Sequence, residues 1–326
     1  MRRLTDSKYF EERGGTIVIA DDLGPICDVH AHLALTYVPQ GNVDLYRQEV
    51  ASLYLDPERP VDLDSYMNEN FSDREMKEMR RDLSVGSLRD RGKRSTHTAP
   101  ALKQQMNRMG VTHSVILAID LPHSDLNTRS YVTVSNDHPE LLAGAAVHPL
   151  APNAEALLRR AVRGGAKALK MHPAVQMLKP DHPKAMRLYE VCGELGIPVM
   201  WHCGPVGIVS ARADARCHLK HYWTPIHDLP GTRFILGHSG ARQYDMALKL
   251  AAMYDNVYLE IASQGLLAVE TILRTADPLR IMNGSDFPFY HQGYSILKIL
   301  EATENDATLR RRVLFENAAR LFQLEE

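Results

Sequence analysis

The feature of this sequence that most constrains its fold is a repeated alternation of short apolar runs with amphipathic segments of helical length. Each apolar run has the length of a β-strand and ends in polar residues. Eight runs occur, at 26–33, 111–120, 141–149, 166–173, 197–204, 233–240, 256–263 and 281–288. Helical patterns lie between the later runs, and those at 153–165 and 182–196 end in glycine, as many helices do. Eight strands that alternate with helices predict a TIM-type (β/α)8 barrel.

An open, doubly wound sheet is the alternative fold for such an alternation. That fold usually carries a glycine-rich phosphate-binding turn after its first strand. Neither GxGxxG nor GxxxxGK[ST] follows any of the apolar runs, so the barrel is the better interpretation. We therefore predict a single domain over 1–326, in which a short extra strand within 14–24 precedes the strands of the barrel.

A long polar segment follows the first apolar run, at residues 34–97. Loops of this length are uncommon unless they are functional or disordered. Because the segment leaves the carboxyl end of the first strand, we interpret it as an insertion over the barrel mouth, either a lid or a dimer contact. A decoration without a catalytic role is an equally good interpretation of its arginine-rich end at 89–94.

Composition excludes several classes of partner. A formal net charge of -2, with 24% charged residues, offers no basic surplus for nucleic acid or an anionic membrane. No apolar run approaches the roughly 20 residues of a membrane helix, and the amino terminus lacks the apolar segment of a secretory signal. The cysteines are widely spread and form no CxxC pair, which argues against a disulfide framework. We predict a cytoplasmic protein that acts on a small molecule.

The first apolar run, CDVHAHL, carries polar side chains where a barrel strand normally buries apolar ones. Alternate residues of a strand point to the same face, so Asp28, His30 and His32 are expected on the inner face. Two imidazoles at this spacing can bind one metal ion together. Asp28 lies deeper, and it either orients a ligand histidine or is a buried structural carboxylate.

Three more ligand-capable residues end later runs at the predicted mouth of the barrel. His202 follows IPVMW, His238 follows RFIL, and Asp286 follows IMNGS. Barrel enzymes carry their catalytic groups at the carboxyl ends of the strands, so these side chains are expected to converge. Three imidazoles and a carboxylate form a near-complete shell for a divalent transition ion, with room for water.

The series DVHAH, WHCG, GHSG and GSDFP resembles the amidohydrolase superfamily. In particular it is similar to the branch that includes aminocarboxymuconate-semialdehyde decarboxylase, the resorcylate-type decarboxylases and many metal-dependent hydrolases. The carboxyl-terminal LFENAARLF also resembles the closing helix of that branch. The similarity extends over residues 25–324 except for the segment 34–97. It implies a barrel enzyme that depends on a divalent metal.

The resemblance also implies a role for individual residues. The ligands of one divalent ion, expected to be Zn²⁺, would be His30, His32, His202 and Asp286. Asp286 would also take a proton from bound water, and His238 would complete a second metal site or polarise the substrate and move a proton. Lys170 lies where binuclear members carry a carboxylated lysine that bridges two ions. A single ion is commoner in this branch, in which case Lys170 would bind the substrate.

Several further residues are candidates for substrate binding. His172 shares the face of Lys170, and Arg212 and Arg216 follow the fifth barrel strand. An arginine offers a bidentate fork to a carboxylate, so these residues suggest an anionic substrate. A solvated charged helix is the alternative for either arginine. Glu260 could face the site, and we interpret it as a structural polar residue.

The predicted centre suits two reactions. A metal-activated water could hydrolyse an amide, ester or lactone of a small, carboxylated substrate. The same residues could support non-oxidative decarboxylation of an aromatic or muconate-like acid. Some decarboxylases of this branch carry glutamate at the position of His30, so the histidine favours the hydrolase. An inert ligand-binding barrel is disfavoured because buried histidines cost desolvation. Enzymes of this kind often form homo-oligomers, and we expect one here.

Overall fold

The computed structural model describes residues 1–36 and 43–324 of the chain. Within these ranges an antiparallel hairpin precedes eight parallel strands. The hairpin strands are β1 (Phe10–Arg13) and β2 (Thr16–Ile19), and the parallel strands are β3 (Ile26–Ala31), β4 (Val111–Leu117), β5 (Leu141–Ala146), β6 (Ala168–Met171), β7 (Val199–His202), β8 (Phe234–Gly237), β9 (Val257–Glu260) and β10 (Ile281–Met282). The strands pair in chain order from β3 to β10. The predicted barrel is therefore confirmed, and so is the extra strand before it.

Backbone hydrogen bonds join the two ends of the sheet. The N–H of Asp286 donates to the carbonyl of His30 at 2.8 Å, and the N–H of His32 donates to the carbonyl of Phe287 at 2.7 Å. These bonds connect β3 to the segment that follows β10. They also fix the backbone of the HxH pair directly beside that of Asp286, although the two lie more than 250 residues apart in the sequence.

Helices follow the strands along the chain. They are α1 (Asp73–Leu83), α2 (Ala99–Met109), α3 (Leu126–Asp137), α4 (Ala154–Arg163), α5 (Pro183–Leu195), α6 (Ala211–Asp214), α7 (Trp223–Asp228), α8 (Tyr244–Met253), α9 (Leu266–Thr275), α10 (Gly293–Ala302), α11 (Ala307–Arg311) and α12 (Asn317–Phe322). The predicted helices at 153–165 and 182–196 correspond to α4 and α5. Helix α5 ends at Gly196, whose left-handed φ of 67° is costly for residues with a Cβ.

Strand β3 departs from strict alternation, and Asp28 does not contact the rings of the HxH pair. The pairing register with β4 shifts between Asp28 and Ala31. The carboxylate of Asp28 accepts hydrogen bonds from Ser285 Oγ at 2.6 Å and from Gln292 Nε2 at 2.7 Å. It also accepts from the backbone N–H of His30 at 3.1 Å. Of the two roles left open by the sequence, the structural one fits these contacts.

Residues 43–97 pack against the carboxyl end of the barrel. The N–H of Leu55 donates to the carbonyl of Phe289 at 3.0 Å, and the N–H of Met67 donates to the carbonyl of Ser263 at 2.9 Å. The segment therefore contacts the loops that follow β10 and β9. Part of the predicted insertion, 37–42, lies outside the described residues, as do 325–326 of the predicted domain. A lid or dimer-contact role for 34–97 stays a prediction.

Candidate active site

Two imidazoles and a carboxylate meet at the carboxyl end of the barrel. His32 Nε2 lies 3.4 Å from Asp286 Oδ1, and His30 Nε2 lies 3.6 Å from the same oxygen. Two ligand atoms, each about 2.1 Å from a tetrahedral metal ion, are roughly 3.4 Å apart. Each of the two histidine nitrogens therefore lies at the distance from the Asp286 oxygen that two ligands of one cation would have.

The opposite nitrogens of the HxH pair are fixed by oxygen acceptors. His32 Nδ1 lies 2.7 Å from the carbonyl oxygen of Leu117. His30 Nδ1 lies 2.9 Å from Oε2 of Glu260 at the end of β9. Because both partners accept hydrogen bonds, each Nδ1 carries the hydrogen and each Nε2 presents a lone pair toward Asp286. This tautomer is the one in which Nε2 can bind a metal ion.

The other predicted histidines form a hydrogen-bonded pair beside this group. His238 Nε2 and His202 Nδ1 are 3.1 Å apart, and His238 Nδ1 lies 3.3 Å from the carbonyl of Ala262. The ring of His202 stacks on that of His172, with centroids 4.1 Å apart. His202 Nε2 is buried and has no hydrogen-bond partner among the described residues. A buried polar atom without a partner is costly unless a ligand occupies it, so this nitrogen also fits a metal site.

The ligand-capable atoms fall into two groups. Within each group they lie within 4.8 Å of one another. One group contains His30, His238 and Asp286, and the other contains His172, His202 and Cys217. The predicted ligand set contains His202. In the structure, however, His238 and not His202 belongs to the group with His30 and Asp286. The ligand role of His202 stays a prediction, and the donor set as a whole fits a divalent transition ion.

Burial keeps these imidazoles neutral. It lowers the pKa of His30, His172 and His202 well below the ordinary value of 6.5, with neighbouring cationic groups as smaller causes. The pKa of His238 falls to about 4 for the same main reason, although Asp286 acts against the shift. Neutral imidazoles carry the free lone pair that metal binding requires.

Lys170 is the buried cation of the site. Its Nζ lies 3.1 Å from His30 Nε2. Burial lowers the pKa of Lys170 to about 8, while the carboxylates of Asp286 and Glu260 oppose that shift. The side chain therefore adjoins the predicted ion site and carries a charge that changes near neutral pH.

A cavity adjoins the cluster and is lined by both polar and apolar side chains. The lining residues are His30, His32, Leu35, Lys170, His172, His202, Val206, Ile208, Val209, Asp214, Asp286 and Phe289. The predicted substrate residues Lys170 and His172 are part of this lining. A small substrate that enters the cavity would meet both the imidazole cluster and the Lys170 ammonium.

The two predicted arginines lie elsewhere. Arg212 is exposed and Arg216 is half-buried, and Arg216 Nη1 donates to the carbonyl of Arg212 at 2.7 Å. Asp214, between them in the sequence, faces the cavity instead. Its carboxylate accepts from the N–H groups of Val206 and Gly207 at 3.1 and 2.8 Å, which holds the apolar loop of the cavity wall. The structure does not bring the arginines to the cavity, and their role in substrate binding stays a prediction.

Comparison with known proteins identifies the family of this chain. The family model described as amidohydrolase matches residues 27–324. The chain belongs to the amidohydrolase family. This membership confirms the superfamily branch that the histidine motifs suggested, and the chain is accordingly an enzyme of a family of hydrolases and decarboxylases. The family is typically metal-dependent, in agreement with the ligand-capable groups of this amidohydrolase.

Solved structures share the fold of this amidohydrolase at low sequence identity. An uncharacterised TIM-barrel protein from Bordetella bronchiseptica has a TM-score of 0.65 at 15% identity, covering 92% of this chain and 99% of its own. The 2,6-dihydroxybenzoate decarboxylase from Rhizobium has a TM-score of 0.61 at 15% identity, covering 92% and 100%. A "probable 2-pyrone-4,6-dicarboxylic acid hydrolase" from Acinetobacter baumannii has a TM-score of 0.58 at 13% identity, covering 92% and 99%.

A search of curated proteins found no match to this chain. Within the described residues, no helix combines the length and the hydrophobicity needed to cross a bilayer.

Proposed function

We propose that this amidohydrolase is a metal-dependent hydrolase of an amide, ester or lactone in a small, carboxylated substrate. The observation that carries the proposal is the approach of His30 Nε2 and His32 Nε2 to one oxygen of Asp286, at 3.6 and 3.4 Å. Both nitrogens face this oxygen because their rings are held from behind by fixed acceptors. Imidazole nitrogens and a carboxylate oxygen are donors that suit a divalent transition ion.

His30, His32 and Asp286 would hold one divalent ion, expected to be Zn²⁺, and His202 is the predicted fourth ligand beside His238. When bound, such an ion polarises a carbonyl oxygen and lowers the pKa of water from about 15.7 toward 7. A second ion would require carboxylation of Lys170, and we favour the single ion.

The remaining chemistry falls to side chains of the cavity. The Asp286 carboxylate would accept the proton that water loses as its oxygen attacks the substrate carbonyl. His238, which has a ring nitrogen within 4.8 Å of this carboxylate, would relay that same proton to the departing nitrogen or oxygen as its bond to the carbonyl carbon breaks. The Lys170 ammonium would pair with the substrate carboxylate, and His172 on the same cavity wall would contact the substrate.

Non-oxidative decarboxylation is the second candidate reaction. In that case the bond to the carboxylate carbon breaks, CO₂ leaves, and a proton from His238 or Asp286 is added to the remaining carbon. The fold likeness to the Rhizobium 2,6-dihydroxybenzoate decarboxylase supports keeping this candidate. The histidine at position 30 supports the hydrolase.

A product assay separates the two reactions. Metal-replete enzyme would be incubated with a panel of lactones, amides, esters and aromatic acids, and both acid release and CO₂ would be measured. We expect acid release without CO₂ from carboxylated lactones or amides. CO₂ release from an aromatic acid would establish the lyase instead. Binding without turnover, in protein that contains no metal, would support an inert ligand-binding barrel.

We also infer a cytoplasmic location, a homo-oligomer, and no nucleic-acid or membrane partner. All four cysteines are free and buried, which suits a reducing compartment. The near-neutral charge balance offers no basic surplus for a polyanion. Size-exclusion chromatography with light scattering would test the oligomer, and a monomer at working concentration would contradict it.

A further inference from the structure

Glu260 contacts both halves of the histidine cluster. It is fully buried at the end of β9. Its Oε2 lies 2.9 Å from His30 Nδ1 and also accepts a hydrogen bond from the backbone N–H of His238 at 2.9 Å. Its Oε1 accepts from the backbone N–H of Ala262. One carboxylate is therefore bonded to a predicted metal ligand and to the backbone of the proposed acid–base histidine.

These contacts decide which nitrogen of His30 is free. Two of the three partners of the Glu260 carboxylate are backbone N–H groups, toward which it is an acceptor, and Lys170 Nζ lies 3.1 Å from His30 Nε2, which makes that ring nitrogen the acceptor. The hydrogen of His30 consequently resides on Nδ1, and the lone pair resides on Nε2. That nitrogen faces Asp286 Oδ1 at 3.6 Å, on the side of the proposed ion.

The same residue supports an unusual turn at His238. His238, Ser239 and Ala241 all have left-handed φ angles, of 57°, 42° and 50°. Such conformations cost free energy in residues with a Cβ and need support from their surroundings. The Glu260 carboxylate binds the N–H of His238, and the Glu260 carbonyl accepts from Ser239 Oγ at 2.9 Å. These two hydrogen bonds hold the turn that positions the His238 ring beside the cluster.

Gly284 provides the space that the Glu260 carboxylate fills. A Cβ at position 284 would lie 2.2 Å from Glu260 Oε1, 2.6 Å from its Cδ and 2.9 Å from its Cγ. These distances are far below van der Waals contact, and all three atoms belong to the Glu260 side chain. The glycine of the GSDFP motif therefore leaves room for a carboxylate that comes from the neighbouring strand.

We propose that Glu260 is a positioning residue that aims His30 Nε2 at the metal ion and fixes the His238 turn, and that Gly284 is required to admit it. The proposal rests on the proposed function, because it assumes an ion at His30. It replaces the interpretation of Glu260 as a structural polar residue. Partners of this kind typically change metal affinity by about 10- to 100-fold when they are removed.

Zn²⁺ titration of the metal-free Glu260→Gln variant tests the proposal. An amide cannot accept hydrogen bonds at both terminal atoms, so we expect Zn²⁺ affinity to fall by about 10- to 100-fold. Asp120→Asn is a matched control: Asp120 is also buried and accepts the N–H groups of Asn127 and Thr128, at 3.1 and 2.9 Å. It should lower the melting temperature without changing Zn²⁺ affinity. A Glu260→Gln variant that behaves like this control would overturn the proposal.

A double-mutant cycle tests the part played by Gly284. Gly284→Ala alone should weaken Zn²⁺ binding, because the new methyl group displaces the carboxylate. In a Glu260→Ala background the same substitution should have little further effect, since the clashing atoms are gone. Equal, additive losses in both backgrounds would contradict the proposed contact.

The wild-type protein offers a readout that needs no stable variant. In ¹⁵N-histidine spectra of the metal-free enzyme, His30 should be the Nδ1–H tautomer, and the Nε2–H tautomer would overturn the proposal. His30→Gln identifies the signal and also tests the parent hypothesis. Full retention of Zn²⁺ in His30→Gln would contradict the proposed function. Loss of Zn²⁺ there, with unchanged affinity in Glu260→Gln, would contradict only the role of Glu260.

Discussion

Lys170 Nζ lies 3.1 Å from Nε2 of His30, and both side chains are buried. In this arrangement the lysine donates a hydrogen bond to the nitrogen that we expect to face the ion. An ion and this contact cannot share the same lone pair, so ion binding would release the ammonium. The released Lys170 is then available to a substrate carboxylate in the same cavity.

Replacing Lys170 by methionine should therefore weaken binding of carboxylated substrates. A hydrogen bond to a charged group contributes about 1.5–3 kcal/mol, so KM should rise by roughly 10- to 100-fold. A neutral ester of the same substrate should show little change in KM, and the metal content should be retained. Equal effects on the acid and its neutral ester would remove Lys170 from substrate recognition. Steady-state kinetics with metal analysis of each preparation provide the measurement.

His30→Ala and His32→Ala should each abolish stoichiometric metal binding, because each removes one of the Nε2 atoms that face Asp286. His113→Ala is the matched control, since His113 lies on β4 and its ring contacts Thr112 rather than the cluster. Elemental analysis after dialysis against limiting Zn²⁺ gives the stoichiometry. A full metal complement in both HxH variants would refute the ion site.

Asp286→Asn should lower kcat by about 10²- to 10⁴-fold, the usual contribution of a proton-transfer group. The amide keeps an oxygen near His32 Nε2 but accepts no proton at neutral pH. Asp245→Asn, at an exposed position of α8, should leave kcat unchanged. The rates should be compared at equal metal occupancy. A variant that retains most of the wild-type kcat would exclude Asp286 as the base.

Folding stability should fall as the pH is lowered from about 6.5 toward 3. Burial lowers the pKa of both His97 and His291 to about 3, below their ordinary value of 6.5. In that pH window the unfolded chain binds more protons than the folded one, so acid favours unfolding. Each group contributes up to about 1.4 kcal/mol per pH unit to the slope.

Urea denaturation at several pH values would measure this slope. The metal condition, either saturating metal or none, should be the same at every pH. His97→Phe should make the dependence on pH shallower, whereas His227→Gln on the exposed side of α7 should leave it unchanged. The prediction fails if the free energy of unfolding is flat between pH 4 and 6.5.

The pattern of apolar runs and helical segments predicted the barrel, and the polar residues that end those runs predicted the candidates for its site. Eight apolar runs with helical patterns between them correspond to β3–β10, because burial on both faces of parallel strands requires nearly continuous apolar segments. HxH and the residues that end the later runs were identifiable since a barrel directs the carboxyl ends of its strands to one mouth. Strict alternation predicted Asp28 on the same face as His30 and His32. That prediction was wrong because the register of β3 shifts beside Asp28.

Contacts between segments that are distant in the sequence became visible only in the folded chain. Glu260 and Gly284 are adjacent only because β9 and β10 pair, and no local pattern shows that a carboxylate fills the space of a missing Cβ. Arg212 and Arg216 carry the right charge for a substrate carboxylate, yet neither lines the cavity, whereas Asp214 between them does. The sequence gives the chemical type of each side chain. The direction in which that side chain points depends on packing between elements that are far apart in the chain.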